Sequence, residues 1–271
     1  MKRALGVCEW CLPVRGPALL KAIKSCGLDA FQVDTGLFEE GVPLSFPEVQ
    51  DAYLAAACDA QVELRCAGNN ALCTYGMVHP ESSEKHSAAK EIIRKSIEAA
   101  GAMNIPILML PSMFDGFISD EDGFRNTAEM LKWACRYAMD KGVVISWENV
   151  LGAEENLRML EAVRQTNFGI GFDTQNPHGL AGHYVPDMIR KLSGHINLLH
   201  IKDGTGANLG VEHYGDGDSG FLESAKAIKE SGFDGCIISE NMYKKMPFIE
   251  KDGDPFKAIR EDVKRFSSIF S

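Results

Sequence analysis

Eight short β-branched or apolar runs alternate with helical segments from one end of the chain to the other, and no other feature restricts the fold so strongly. The runs lie at residues 3–9, 29–34, 61–67, 105–110, 143–148, 168–172, 196–201 and 235–239. Between them, Ala18 to Cys26, Ser87 to Met103, Thr127 to Lys141 and Phe221 to Ser231 carry apolar residues at helical spacing. Pro255 to Phe270 supplies the last of eight expected helices. Parallel neighbours need a crossover connection, so strands separated by single helices imply parallel βαβ units. An internal echo ties the two ends of the series together. Ala22-Ile-Lys-Ser-Cys-Gly-Leu-Asp-Ala-Phe-Gln-Val-Asp34 resembles Ala227-Ile-Lys-Glu-Ser-Gly-Phe-Asp-Gly-Cys-Ile-Ile-Ser239. In both, a helix stops at a glycine (Gly27, Gly232) that accepts the left-handed cap, and a short turn leads into an apolar strand. The same unit at the first and last step is what a closed ring of repeats gives. An open doubly wound sheet would place a phosphate-binding glycine loop after its first strand, and none is present. The 271 residues have no linker-like stretch and match the roughly 250 residues such a ring takes. The chain therefore reads as α/β, a single (β/α)8 TIM barrel over residues 1–271.

Charge and hydropathy narrow the function classes. Asp and Glu total 38 against 28 Lys and Arg, a net charge of −10. Such a surface repels phosphate backbones, and no basic stripe offsets it, so nucleic acid is not an expected partner. No apolar run approaches the roughly 18 residues of a membrane helix; the best, Ile105 to Met113, is broken by Pro111. Lys2 and Arg3 resemble a signal-peptide start, but Glu9 interrupts the apolar segment behind them, and a cytoplasmic protein is expected. The eight cysteines then read as reduced core thiols. Cys8-Glu9-Trp10-Cys11 has CxxC spacing, yet it lacks a second pair and lies at a strand end, so neither a redox nor a zinc role is expected of it.

In a barrel of this kind the C-terminal strand ends face the active site. The fifth strand ends Trp147-Glu148-Asn149, the sixth Phe172-Asp173-Thr174, the seventh His200-Ile-Lys202-Asp203 and the eighth Ser239-Glu240-Asn241. Three carboxylates and one imidazole thus meet at one rim, which suits a divalent ion with mixed oxygen and nitrogen ligands: Mn²⁺, Co²⁺, Mg²⁺ or Zn²⁺. Any one of them alone reads as a polar residue capping a strand or pairing with a nearby Lys or Arg. Four in consecutive strands, each behind an apolar run, favour a shared site. Asn149 and Asn241 read as outer hydrogen-bond donors or as loop caps. Glu9, Trp10, Asp34 and Asn69 end the first three strands and line either the pocket or a packed rim. Lys202 shares the side of His200 on an alternating strand, as a substrate or phosphate ligand or as a salt-bridge partner of Asp203 or Glu148.

The strand ends Trp-Glu148-Asn, Phe-Asp173-Thr-Gln-Asn176-Pro, Leu-His200-Ile-Lys-Asp203 and Ser-Glu240-Asn, with Gly215-Asp-Gly-Asp-Ser-Gly-Phe221, resemble the xylose-isomerase-like sugar phosphate isomerase/epimerase family. The resemblance spans nearly the whole chain in architecture, and its specific motifs begin near residue 143. It implies one divalent metal, usually manganese, cobalt or magnesium, on Glu148, Asp173, His200 and Glu240. It also implies that Glu148 and Glu240 are the catalytic pair that moves protons on opposite faces of an enediolate. Candidate substrate-binding residues are Asn176, Lys202, Asp203, Glu9 and Asn69. The implied substrate is a sugar or sugar phosphate, with no nucleic acid or membrane partner, and a homodimer or homotetramer is the expected assembly.

The same four ligands would serve a 1,2-isomerase or an inosose dehydratase-like lyase. Asn176 stands where the ketose 3-epimerases carry a histidine, and their arginine after the seventh strand is not recognisable between Asp203 and Phe221. Asn176-Pro177 looks closer to the phosphate-sugar and inosose branches. An endonuclease-IV-like DNA repair nuclease would need further histidines; Asn176 and the Glu212-His213 pair do not supply them. A sugar-binding barrel without catalysis would carry a broken ligand set. His178, His183 and His213 read as substrate-approaching or solvated loop histidines, His79 and His86 as exposed, and His195 as a strand cap. The apolar loop Pro111 to Ser119 reads as a lid or an oligomer contact.

Overall fold

A computed structural model of the chain describes residues 5–270; Lys2 and Arg3, and with them the start of the first expected strand, lie outside the described residues. The described elements alternate strand and helix. They are β1 (Leu5–Cys8), α1 (Leu19–Ser25), β2 (Ala30–Asp34), α2 (Pro47–Ala60), β3 (Glu63–Gly68), α3 (Glu84–Ala102), β4 (Ile107–Pro111), α4 (Glu121–Met139), β5 (Val144–Glu148) and α5 (Ala153–Val163). The second half continues with β6 (Phe168–Asp173), α6 (Asn176–Ala181), α7 (Val185–Leu192), β7 (Ile196–Ile201), β8 (Asp203–Thr205), β9 (Asn208–Glu212), α8 (Phe221–Glu230), β10 (Cys236–Ser239), α9 (Met246–Asp252) and α10 (Pro255–Ile269). Eight strands close into a barrel in the order β1-β2-β3-β4-β5-β6-β7-β10, with parallel pairing throughout the recorded registers.

The helix boundaries follow from caps written in the sequence. Ser83 and Asp120 accept the backbone N–H of His86 and Gly123 at the starts of α3 and α4, and Asp254 accepts that of Phe256 ahead of Pro255 in α10. At the other end, Gly27 and Gly232 sit at φ +91° and +69° just past α1 and α8, the left-handed conformation that stops both echo helices. Strands β1 and β10 are buried along their whole length, as helix-covered parallel strands are, while β3 starts on the exposed Glu63 and Arg65 before it turns buried. The buried Trp147 indole donates to Ser112 Oγ at 2.8 Å.

Two features depart from the expected eight-and-eight pattern. An antiparallel hairpin, β8–β9, follows β7, and ten α-helices rather than eight are present among the described residues, α6 and α9 being additional short ones. The hairpin spans only Asp203 to Glu212 and contains Gly204, Gly206 and Gly210, so it offers no run of alternating side chains to read. The two extra helices have 6 and 7 residues, about two turns each, too few for a periodic signal.

Two compact units share the chain. One takes the described parts of Met1–Gln32, Ala55–Leu64 and Phe172–Ser271; the other takes Val33–Leu54 and Arg65–Gly171. The boundaries fall inside β2, β3 and β6. Among the described residues no helix is long and apolar enough to cross a membrane.

Candidate metal centre

Each expected ligand stands where a strand ends. Asp173 closes β6, His200 lies in β7, Glu240 follows β10, and Glu148 closes β5 in register with Gly171, two residues before Asp173. The four side chains are buried, and each offers a ligand atom, all within 4.8 Å of one another. Three carboxylates and one imidazole at that spacing fit a hard or borderline divalent ion.

Local hydrogen bonds aim these ligands. Asp173 Oδ1 accepts the backbone N–H groups of Gln175 (2.8 Å) and Asn176 (2.5 Å), a cap that turns Oδ2 toward Lys202 Nζ at 3.3 Å. Glu240 Oε1 accepts the Trp10 indole N–H at 2.9 Å, and its Oε2 accepts from Lys202 Nζ at 2.5 Å. The β6 and β7 ends are fastened by Thr174, whose Oγ1 donates to Lys202 O (2.9 Å) and accepts from Lys202 N (3.0 Å).

His200 has its proton placed by a residue on β2. Gln32 Oε1 lies 2.7 Å from His200 Nε2 and also accepts the Cys8 thiol at 3.4 Å. An oxygen that accepts from both fixes a proton on Nε2, which leaves Nδ1, 3.7 Å from Glu240 Oε2, as the nitrogen that would ligate a metal.

The electrostatics centre on Lys202. Its ammonium, 3% exposed, pairs with Glu240 and Asp173, whereas Asp203, one of the partners weighed from the sequence, is engaged by Gly204, Gly215, Gly217 and Ser219 instead. The register of β7 explains the difference: Lys202 is two residues past His200 and therefore on its side, while Asp203 faces the other way. Burial raises the Glu240 carboxyl, but the Lys202 ammonium, the His200 ring and the hydrogen bonds from Lys202 and Trp10 outweigh it and hold it well below the usual carboxylate range.

Other expected site residues have different surroundings. Asp203 is fully buried and accepts from the backbone N–H of Gly204, Gly215 and Gly217 and from Ser219 Oγ, so it organises the following loop. Asn69 is also fully buried, and its Nδ2 donates to Ser96 Oγ at 2.9 Å. Glu9 accepts the Gly16 N–H at 2.7 Å, and Asp34 accepts that of Gly36. Asn149 pairs with Asn156 and accepts from Leu151 N, the loop-cap arrangement. Asn176 opens α6 beside Asp173. The CxxC pair divides: Cys8 lies 3.9 Å from His200 Nε2, and Cys8, His200 and Glu240 form a second close group of metal-ligating side chains, while Cys11 is core.

The remaining histidines also separate. His213 is buried between Asp262 and Asp252, away from a substrate-approaching role, because the β8–β9 hairpin carries it inward. His79 is half-buried and bonded to Asp115, and His195 is exposed. In the loop after β4, Phe114 is 71% exposed while Asp115 is pinned by Lys85, His79 and Gly76 N. Sequence reading missed Gln32. A lone glutamine inside the apolar run Ala30-Phe-Gln-Val, two residues before Asp34, was the signal that it faces something polar.

The chain also resembles known proteins. Residues 20–269 match a family model described as a xylose isomerase-like TIM barrel. Among curated proteins, the 2-epi-5-epi-valiolone 7-phosphate 2-epimerase of Actinoplanes sp. is 26% identical over 243 residues, 89% of this chain and 87% of that protein. Among solved structures, D-psicose 3-epimerase from Clostridium cellulolyticum H10 superposes with a TM-score of 0.77 at 14% identity, covering 99% of each chain. The IolI protein, solved with a bound zinc atom, superposes with a TM-score of 0.78 at 17% identity over 99% of this chain and 98% of its own. At these identities the two structures speak to the fold.

Proposed function

This chain belongs to the xylose isomerase-like TIM-barrel family, and from that premise we propose that it is a divalent metal-dependent epimerase or isomerase of a sugar or sugar phosphate. The observation that carries the reading is the buried cluster of Glu148, Asp173, His200 and Glu240 at successive strand ends. These four would hold the ion, with Mn²⁺ the preferred occupant and Co²⁺, Mg²⁺ and Zn²⁺ alternatives. When bound, a divalent ion polarises a carbonyl and its neighbouring hydroxyl and stabilises enediolate charge.

The chain's own residues supply the rest. Moving a stereocentre beside a carbonyl requires a base to take a proton from carbon and an acid to return one from the far face. Glu240, kept ionised by Lys202 and Trp10, is suited to take the proton at its carboxylate, and Glu148 is its partner for the return. Lys202 orients Glu240 and Asp173 together, and Gln32 keeps the His200 proton on Nε2. The curated relative, by name a 7-phosphate 2-epimerase, supports a phosphorylated substrate and an epimerisation. Because β2, β3 and β6 each run through both compact units, we read residues 1–271 as one barrel domain.

The test is a panel of ketoses, ketose phosphates and inosose incubated in deuterated buffer with Mn²⁺ and read by NMR. Deuterium at a carbon next to the carbonyl is expected, and Glu240→Gln should abolish it while circular dichroism stays unchanged. Full exchange in that variant removes Glu240 from proton transfer, and water loss without inversion identifies a lyase.

A further inference from the structure

A second buried polar cluster lies behind Glu240, and the chemistry above does not use it. His213, directly after β9, is 5% exposed. Its Nδ1 lies 2.7 Å from Asp262 Oδ1 on α10, and its Nε2 lies 3.0 Å from Asp252 Oδ2 at the end of α9. A carboxylate oxygen accepts and does not donate, so with two such partners both ring nitrogens carry a proton and the ring is a cation. Asp262, fully buried, also accepts from Asn241 Nδ2 (2.7 Å), Tyr243 Oη (2.9 Å) and Tyr214 N (3.4 Å).

Asn241 is the residue after Glu240, and its other bonds hold the main chain there. Its Oδ1 accepts Asp203 N at 3.0 Å, and its Nδ2 also donates to Glu212 O at 3.0 Å. On the same segment Met242 N donates to Gly210 O at 2.6 Å. Gly210 has φ +63°, and a Cβ there would stand 2.9 Å from Glu240 O, so β9 presses directly on the backbone that carries Glu240.

We propose that His213 is a positioning residue for Glu240: clamped as a cation between Asp252 and Asp262, it fixes Asn241 and, through it, the main chain at Glu240. The inference rests on the role given to Glu240 above. Charged groups face the ring from every packed element. Asp262 and Glu261 come from α10, Asp252 and Lys251 from α9, Glu212 from β9 and Asp216 from the next loop, while the Phe248 ring packs edge-on at 5.1 Å. Lys251 is bonded to Glu212, and Arg265 to Asp216 and Glu261, so Asp252 and Asp262 are left to the imidazolium. Burial lowers the ring's proton affinity, but Asp262 and then Asp252 outweigh it and raise the histidine above its ordinary value. The raised affinity makes the clamp complete at low pH; it is lost as pH rises through the folded-state value.

Nitrogen-15 NMR of the ring between about pH 6 and pH 9 tests this. Both His213 nitrogens should be protonated at neutral pH, with a midpoint above the ordinary value of about 6.5. The Glu240 backbone amide and the Asn241 side-chain amide should move with that same midpoint. Asp252→Asn keeps an acceptor and removes its charge, so it should lower the midpoint by about one unit and carry the two amide signals with it. Mn²⁺ affinity should weaken about tenfold across the same interval. A merely structural histidine leaves the Glu240 and Asn241 signals flat, and that result, or an unprotonated ring nitrogen at neutral pH, overturns the proposal. Absence of Mn²⁺ binding at every pH defeats the metal reading instead, and the amide signals still decide the positioning role.

Discussion

Replacing Gln32 by leucine tests how the barrel prepares His200. Leucine has a comparable volume but stops one atom short of the amide oxygen and offers no acceptor. In the native chain Gln32 is fully buried, and its Oε1 takes hydrogen bonds from His200 Nε2 at 2.7 Å and from Cys8 at 3.4 Å. Without it the Nε2 proton is buried and unmatched, which costs about 1–3 kcal/mol. The ring relieves that cost by moving its proton to Nδ1, where Glu240 Oε2 lies 3.7 Å away. A metal must then displace the proton from its own ligand atom. Outer partners of ligating histidines are worth about 10–100-fold in metal affinity. That range corresponds to about 1.4–2.8 kcal/mol. Mn²⁺ titration by calorimetry, with circular dichroism as the fold control, should show this weakening in Gln32→Leu, and Gln32→Glu should recover the acceptor. Unchanged Mn²⁺ affinity in a folded Gln32→Leu protein would refute the reasoning, since the tautomer would then not depend on Gln32.

Two further outcomes follow from the charges. Lys202→Met keeps the stem but removes the cation between Glu240 and Asp173; stripping one partner from a buried pair costs about 3–5 kcal/mol. Its melting temperature in chelator should fall, and Mn²⁺ should restore more of it than in the native protein; a native-like melt in chelator would show that the ion pair is not structural. Burial raises the Asp115 carboxyl, but Lys85, Gly76 N and His79 outweigh it and lower it to about 2. Because the lowered group stabilises the fold above its unfolded value near 3.8, its roughly 1–2 kcal/mol should disappear as pH falls toward 2. Urea melts of the native protein and Asp115→Ala should therefore converge at acid pH, and a constant gap between them would exclude Asp115 as the source.

How much of this was legible in the chain differs by element. The strands and their long helices were, because a buried parallel strand must be apolar and a covering helix must repeat its apolar face. The echo around Gly27 and Gly232 was legible too, since a left-handed cap selects glycine wherever it occurs. The hairpin β8–β9 and helices α6 and α9 were not: each is too short to carry a period, and each exists because loop residues pack on neighbours distant in the sequence.

The candidate site divides along the same line. Residue order alone determined that Glu148, Asp173, His200 and Glu240 stand at strand ends, because strand polarity and a chain of βα units leave no other place for them. Only the tertiary structure decided what each one touches. Lys202 chose Glu240 and Asp173 over its sequence neighbour Asp203, Gln32 reached across from β2 to His200, and Asp262 on the last helix came to hold the residue after Glu240. The physical reason is that a buried polar group must find its partner wherever burial leaves one, and closure of the barrel, not proximity along the chain, sets which groups are buried together.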